Sequence, residues 1–149
     1  IAAGGIASGK AMAAAFALGA EGVQIGSRFV ASKESSAHIN FKNAIINSNE
    51  GDTSLTLKEL TPVRLLKNKF YDKIQNAYLK KANIDELNSL LGKGRAKKGM
   101  FEGDLEDGEL EIGQISSTIN KIKSASEIFD EIKNEFYLTL NYLNNLNIK

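Results

Sequence analysis

The chain has no cysteine. That excludes a disulfide framework, a thiolate metal site and a cysteine nucleophile; it fits a reducing compartment, so a cytoplasmic location is expected. Neither sign of charge is in excess, since 19 Lys and Arg against 18 Asp and Glu leave a net charge of +1. This balance gives no strong attraction to nucleic acid or to a membrane surface, and neither is expected as a partner. No apolar run approaches a membrane span. Ala11 to Ala20 has the small residues of a signal segment, but it lies between Lys10 and Glu21 without a basic leader. A strand–helix–strand reading fits it better. An initiating methionine is lacking as well: Ile1 opens the chain inside what reads as a strand, so a processed or truncated segment of a longer protein is expected. The 149 residues could bury one core of ordinary size.

What is present begins with glycine. Ile1-Ala2-Ala3-Gly4-Gly5-Ile6-Ala7-Ser8-Gly9 is answered by Val23-Gln24-Ile25-Gly26-Ser27-Arg28-Phe29. Each half reads as a short apolar strand running into a glycine turn. Between them an alanine-rich helix is expected from Gly9 or Lys10 to about Leu18, with Ser8 as N-cap and Gly19 at its C-terminal end. Alternation turns Val23 and Ile25 one way and Gln24 and Gly26 the other. Two glycine turns at the ends of successive parallel strands let backbone N–H groups converge on one phosphate, because no Cβ holds the backbone away. On these residues alone two readings stand: a phosphate cradle, or tight βα turns and nothing more.

Residues 1–31 are rich in Ala and Gly and almost uncharged; later residues are richer in Lys, Asn and Glu. A helix is expected from about Ser36, with Phe41, Ala44 and Ile45 on its apolar face. Ser54–Leu57 and Val63–Leu66 read as extended segments, the second entered through Thr61-Pro62. A helix over 69–81 carries Phe70, Ile74, Ala77 and Tyr78 at helical spacing. Asn83 with Glu86 reads as a capped helix start, and Gly92 ends that helix. Ile112, Ile115, Ile119 and Ile122 make a helix-like stripe. Ser124 with Glu127 is a capping box for a last helix, whose apolar line is Ile128, Phe129, Ile132, Phe136, Leu140 and Leu143. Its end, Asn144 to Lys149, is expected to fray.

Other side chains invite a functional reading. Asp104, Glu106, Asp107, Glu109 and Glu111 form an acidic cluster whose spacing is not that of an EF-hand; a solvated loop is the default and a cation site the alternative. Arg95, Lys97 and Lys98 either meet an anion or are solvated. Gln114 either reaches the active site or makes a helix N-terminal contact. Tyr71 and Tyr78 read as packing residues.

The stretch AAGGIASGKAMAAAFALGAEGVQIGSRF resembles the C-terminal barrel portion of the 2-nitropropane dioxygenase, or nitronate monooxygenase, family. That family includes the flavin-dependent enoyl-acyl-carrier-protein reductase II. TPVRLLKNKF and GRAKKGMFEGDLEDGELEIGQIS resemble its tail and are the more specific motifs. The resemblance runs to about Ile132. It implies an α/β fold in which residues 1–50 are the last two β-α units of an FMN-binding TIM (β/α)8 barrel. Residues 51–149 then form a C-terminal extension of two short extended segments followed by helices.

The resemblance further implies FMN held by its phosphate. Gly4 and Gly5 would donate N–H groups from one loop. Gln24, Ile25, Gly26 and Ser27 would form the other side, with the Ser27 hydroxyl a further donor. Arg28 either neutralises the phosphate or forms an ion pair beneath the loop, and the second is favoured. The family's catalytic histidine and flavin-ring contacts precede the matching segment, so no catalytic residue is expected here; His38 does not substitute. The implied activity is nitronate oxidation with O2. The alternative is enoyl-thioester reduction with NAD(P)H, and a third reading is a non-catalytic phosphate-binding or packing piece when isolated. The implied partners are a small-molecule substrate, the N-terminal part of the barrel and a second copy in a homodimer.

Overall fold

The computed structural model describes residues 1–146. Strands β1 (Ala2–Ala3) and β2 (Val23–Gln24) pair in parallel, with Ala2 opposite Val23 and Ala3 opposite Gln24. Helix α1 (Gly9–Ala17) makes the crossover. Ser8 caps it, its Oγ accepting from the Ala11 N–H, and Gly19 leaves it at φ +96°. A one-turn helix α2 (Ser27–Val30) follows β2 directly.

Helix α3 (Ile39–Ile46) begins three residues later than expected. The preceding loop is held open by Lys42, a buried side chain whose Nζ donates to the carbonyls of Ser35 at 2.7 Å and Lys33 at 3.4 Å. His38 then caps the helix, Nδ1 accepting from the Asn40 N–H. Strands β3 (Thr53–Thr56) and β4 (Val63–Leu66) form the antiparallel hairpin anticipated from the two extended segments. Alternation lets β4 serve two cores. Leu65 joins Leu57, Phe70 and Ile74, whereas Leu66 joins Ala31, Phe41, Ile45, Leu110, Ile112 and Ile119. Helices α4 (Lys69–Leu79) and α5 (Ile84–Leu91) follow, the latter opened by a full Asn83–Glu86 capping box.

Two local expectations are corrected. The isoleucine stripe is not a helix: Gln114–Thr118 forms a 3₁₀ turn, and Ile112 and Ile119 flank it in extended backbone. Both are buried in the larger core, which satisfies the apolar pattern without helical pitch. Helix α6 (Ala125–Asn144) starts at its capping box, but its buried line is Ile128 and Ile132, continued by partly buried Phe136; Phe129, Leu140 and Leu143 are exposed. The helix's packing partner is α1, a narrow alanine surface that covers one stripe only. The fraying expected of Asn144 to Lys149 falls partly on residues 147–149, outside the described residues. A π-helical turn, Lys97–Phe101, had no signal in the hydrophobic pattern.

The Glu127 carboxyl is held at about 2, chiefly by the Ser124 backbone N–H, with help from the Ser124 hydroxyl and Lys33. A depressed folded pKa means this contribution is present above the ordinary carboxyl value and lost as pH falls toward 2. Ser124→Ala is expected to cost about 1 kcal/mol at pH 7. Chemical denaturation of the purified variant checks this, and the deficit should shrink as the pH falls through that window.

Candidate functional site

Because β1 and β2 are parallel and in register, the chain leaves both at the same end. After β1, Gly4 and Gly5 adopt φ of +87° and +69°, a left-handed backbone that favours glycine. Both are exposed, and a Cβ built at either would meet nothing within 4 Å. After β2, Gly26 is the N-cap of α2 and Ser27 its first residue. The first N–H groups of such a turn have no intrahelical acceptor.

The start of α1 is closed to an anion. The Gly9 N–H donates to Glu135 Oε2 at 2.6 Å and the Ala11 N–H to Ser8 at 3.1 Å. Glu135 arrives from α6, a carboxylate against the positive end of the helix dipole. What remains for a ligand is the Gly4-Gly5 turn and the Gly26-Ser27 turn.

The tail crosses between them. Gly113 N–H donates to Ser27 Oγ at 3.1 Å, which leaves the hydroxyl proton free to donate onward. A Cβ on Gly113 would lie 2.6 Å from that oxygen, so only glycine allows this approach. Gln114 follows, and a cleft of about 800 Å³ is lined by Gly4, Gly5, Glu50, Arg64, Gly113 and Gln114 among others. Of the sequence-predicted residues the structure thus brings together Gly4 and Gly5, with Ser27 bound to the cleft-lining Gly113. Gln24 and Gly26 are exposed on the other face of β2 and its turn. Ile25 points away, with Val23, Met12, Phe16, Phe29 and Phe136 around an apolar cavity of about 570 Å³. Strand alternation separates these side chains.

Arg28 is buried, with Nη1 donating to the Lys121 carbonyl at 3.3 Å and Nη2 3.7 Å from Glu131. This is the ion-pair alternative, and burial lowers its pKa. Arg95 lies 4.2 Å over the Phe70 ring and donates to the carbonyls of Leu90, Leu91 and Asp107, so it is a structural clamp. Lys97 pairs with Glu102 at 3.2 Å and Lys98 with Asp104 at 2.9 Å. The Asp104 carboxyl is held at about 2, first by the Asp107 N–H and then by Lys98. Glu106 and Asp107 pair with Lys69 and Lys73. Among the described residues no group of three or more His, Cys, Asp or Glu could hold a metal ion, which corrects the cation alternative. Tyr78 is a packing residue with a polar tip, its hydroxyl accepting from the Leu57 N–H at 2.9 Å. His38 lies against Gly103, far from any catalytic role.

Glu109 is buried, and desolvation raises its pKa, with Glu111 adding to the rise and Arg95 opposing it. A raised carboxyl pKa destabilises the fold once pH exceeds the ordinary value of 4.5, fully so above the folded value. Glu109→Gln is therefore expected to raise the thermal midpoint at pH 7, with the gain vanishing below about pH 4. Thermal scans at both pH values check this.

Sequence reasoning singled out Gln114 but missed Glu50, Arg64 and Gly113. A charge within the apolar run Val63-Arg64-Leu65-Leu66, inside one of the two specific tail motifs, was the available signal for Arg64.

The profile of a family described as nitronate monooxygenase matches residues 1–135. A probable nitronate monooxygenase of Staphylococcus saprophyticus is 33% identical over 142 residues, covering 87% of this chain and 39% of the relative. FabK from Thermotoga maritima superposes with a TM-score of 0.88 at 42% identity, over 95% of this chain and 45% of that one. A nitroalkane oxidase from Streptomyces ansochromogenes gives 0.71 at 30% identity, over 95% and 40%. The chain thus spans well under half the length of these relatives. Among the described residues no helix is long and apolar enough to cross a membrane.

Proposed function

The chain belongs to the nitronate monooxygenase family, and from that premise we propose that it supplies the phosphate-binding end of an FMN-dependent (β/α)8-barrel oxidoreductase. Residues 1–50 are the last two β-α units, and 51–149 the extension that closes over them. The observation that carries this reading is the Gly4-Gly5 turn brought beside Ser27 by the parallel register, with Gly113 and Gln114 laid across.

The residues present fit a phosphate. Left-handed glycines leave the space beside the backbone open, and a hydroxyl proton and helix-start N–H groups supply donors. Gly4, Gly5, Gly26 and Ser27 would hold FMN, with Gln24 and Ile25 contributing backbone only. Bound FMN supplies a two-electron acceptor. This chain's residues bind and orient its phosphate end and, through the tail, cover it. The residues at the reacting atoms lie in the missing part of the barrel, in a cytoplasmic enzyme that also forms a homodimer.

The reaction proposed first is oxidation of an alkyl nitronate with O2. A second reading, NAD(P)H-dependent reduction of an enoyl thioester, is favoured by the higher identity to FabK, the enoyl-acyl-carrier-protein reductase II. One pair of assays on the whole-barrel enzyme separates them. O2 uptake with a nitronate supports the first; NADH oxidation only when a crotonyl thioester is added supports the second and sinks the first. In isolation the chain is non-catalytic: Ile1 and Leu18 are about nine-tenths exposed, at 91% and 89%, and the inner strand faces are open. Size-exclusion chromatography should show it associating, and a stable cooperative monomer would count against this.

A further inference from the structure

The three arginines of the chain have different fates. Arg28 is spent on Glu131 and the Lys121 carbonyl, and Arg95 on three carbonyls and the Phe70 ring. Arg64 is different. It is half-buried on β4, turned by alternation away from the Leu65 core and into the wall of the glycine-lined cleft. Its Nη1 donates to Thr53 Oγ1 at 3.2 Å and to the Thr53 carbonyl at 3.4 Å, which anchors one edge of the guanidinium. The other edge has no acceptor among the described residues. No carboxylate there lies within 4.0 Å of it, although exposed Glu50 lines the same cleft.

We propose that Arg64 is the anion-recognising side chain of this cleft, and that its ligand is an oxyanion, either the cofactor's phosphate or the substrate's nitronate. The inference rests on the FMN reading above. A planar guanidinium with a free N–H edge matches two oxygens of such a group side by side, and an ammonium cannot do so. The anchoring by Thr53 lowers the entropy lost on pairing. Facing it across the cleft are the Gly4 and Gly5 backbone and the Gln114 amide, all neutral, so Arg64 supplies the only positive charge in the wall and Glu50 opposes it.

The test uses the whole-barrel enzyme and the variants Arg64→Gln, Arg64→Lys and Glu50→Gln. FMN and riboflavin affinities are read by flavin fluorescence, and KM is read with an alkyl nitronate. Arg64→Gln is expected to weaken one anion about tenfold or more. Weakened FMN with unchanged riboflavin assigns the phosphate; raised nitronate KM with unchanged FMN assigns the substrate. Arg64→Lys should recover part of the loss, since it restores the charge without the fork. Glu50→Gln should shift the same quantity the other way, by about twofold to fivefold, as expected for one partly screened charge.

An arm independent of flavin uses inorganic phosphate, which should raise the thermal midpoint of the wild-type protein but not of Arg64→Gln. A wild-type protein that responds to phosphate yet binds no FMN defeats the cofactor reading and leaves Arg64 assigned. If FMN affinity, nitronate KM and the phosphate response are all unchanged in Arg64→Gln, the assignment is overturned and the arginine is only a hairpin clamp.

Discussion

Gly5→Asp in the whole-barrel enzyme is expected to lower FMN affinity on the order of 100-fold. Two effects add. The backbone at φ +69° suits glycine, and an aspartate there costs about 1 kcal/mol or less, since short polar residues tolerate this region better than others. The larger effect is the carboxylate, set where the turn would face a phosphate dianion in a cleft partly shielded from water. Because a Cβ at this position meets nothing within 4 Å, the fold itself should change little. Gly5→Ala separates the two effects, as it carries the backbone cost without the charge and should lose far less. Flavin absorbance after gel filtration reads the outcome, and full retention in Gly5→Asp would remove Gly5 from the phosphate site.

Gly9→Ala is expected to have the largest effect on stability. A Cβ at Gly9 would lie 2.2 Å from the Phe136 nitrogen and 2.4 Å from the Ile132 carbonyl oxygen. These are backbone atoms of α6, so no rotamer change relieves the clash. Helices α1 and α6 must separate, which disturbs the Ala13–Ile132 contact zone, the Phe16–Phe136 ring pair at 5.5 Å and the Glu135 cap on Gly9. Overpacking of this kind costs about 3 kcal/mol. The gain in helix propensity from Gly to Ala is about 1 kcal/mol at most, so the clash wins. The expected result is a fall in thermal midpoint of several degrees, measured by circular dichroism on the whole-barrel enzyme. A midpoint equal to or above the wild type would mean that α6 does not pack on α1 at this distance.

How much of this was legible beforehand depends on the range of the interactions. Ser8, Asn83 and Ser124 act on N–H groups three residues ahead, and their caps could be read directly. The spacing of the two glycine turns around a short helix gave away the parallel pairing. The isoleucine stripe from 112 to 122 misled, because its period suits a helix while the residues actually alternate between a core and the 3₁₀ turn. No local signal marks Gly113 as the residue that must lie on Ser27. The same is true of Gly9, which reads as a helix start and is in fact the crossing point with α6. Arg64 meets Gly4 and Gln114 only after the hairpin and the tail have folded together, so its place in the cleft is a long-range result. The residues of the second turn divide for a local reason. Ile25 follows Val23 to the apolar side, and only the backbone of that turn and the Ser27 hydroxyl are left for a ligand.

The most direct measurement of the central claim compares FMN with riboflavin, which differ by the phosphate alone. If the two glycine turns hold that phosphate, the whole-barrel enzyme should bind FMN about 100-fold more tightly than riboflavin, the equivalent of one or two charge-assisted hydrogen bonds. Equal affinity for the two flavins would contradict it.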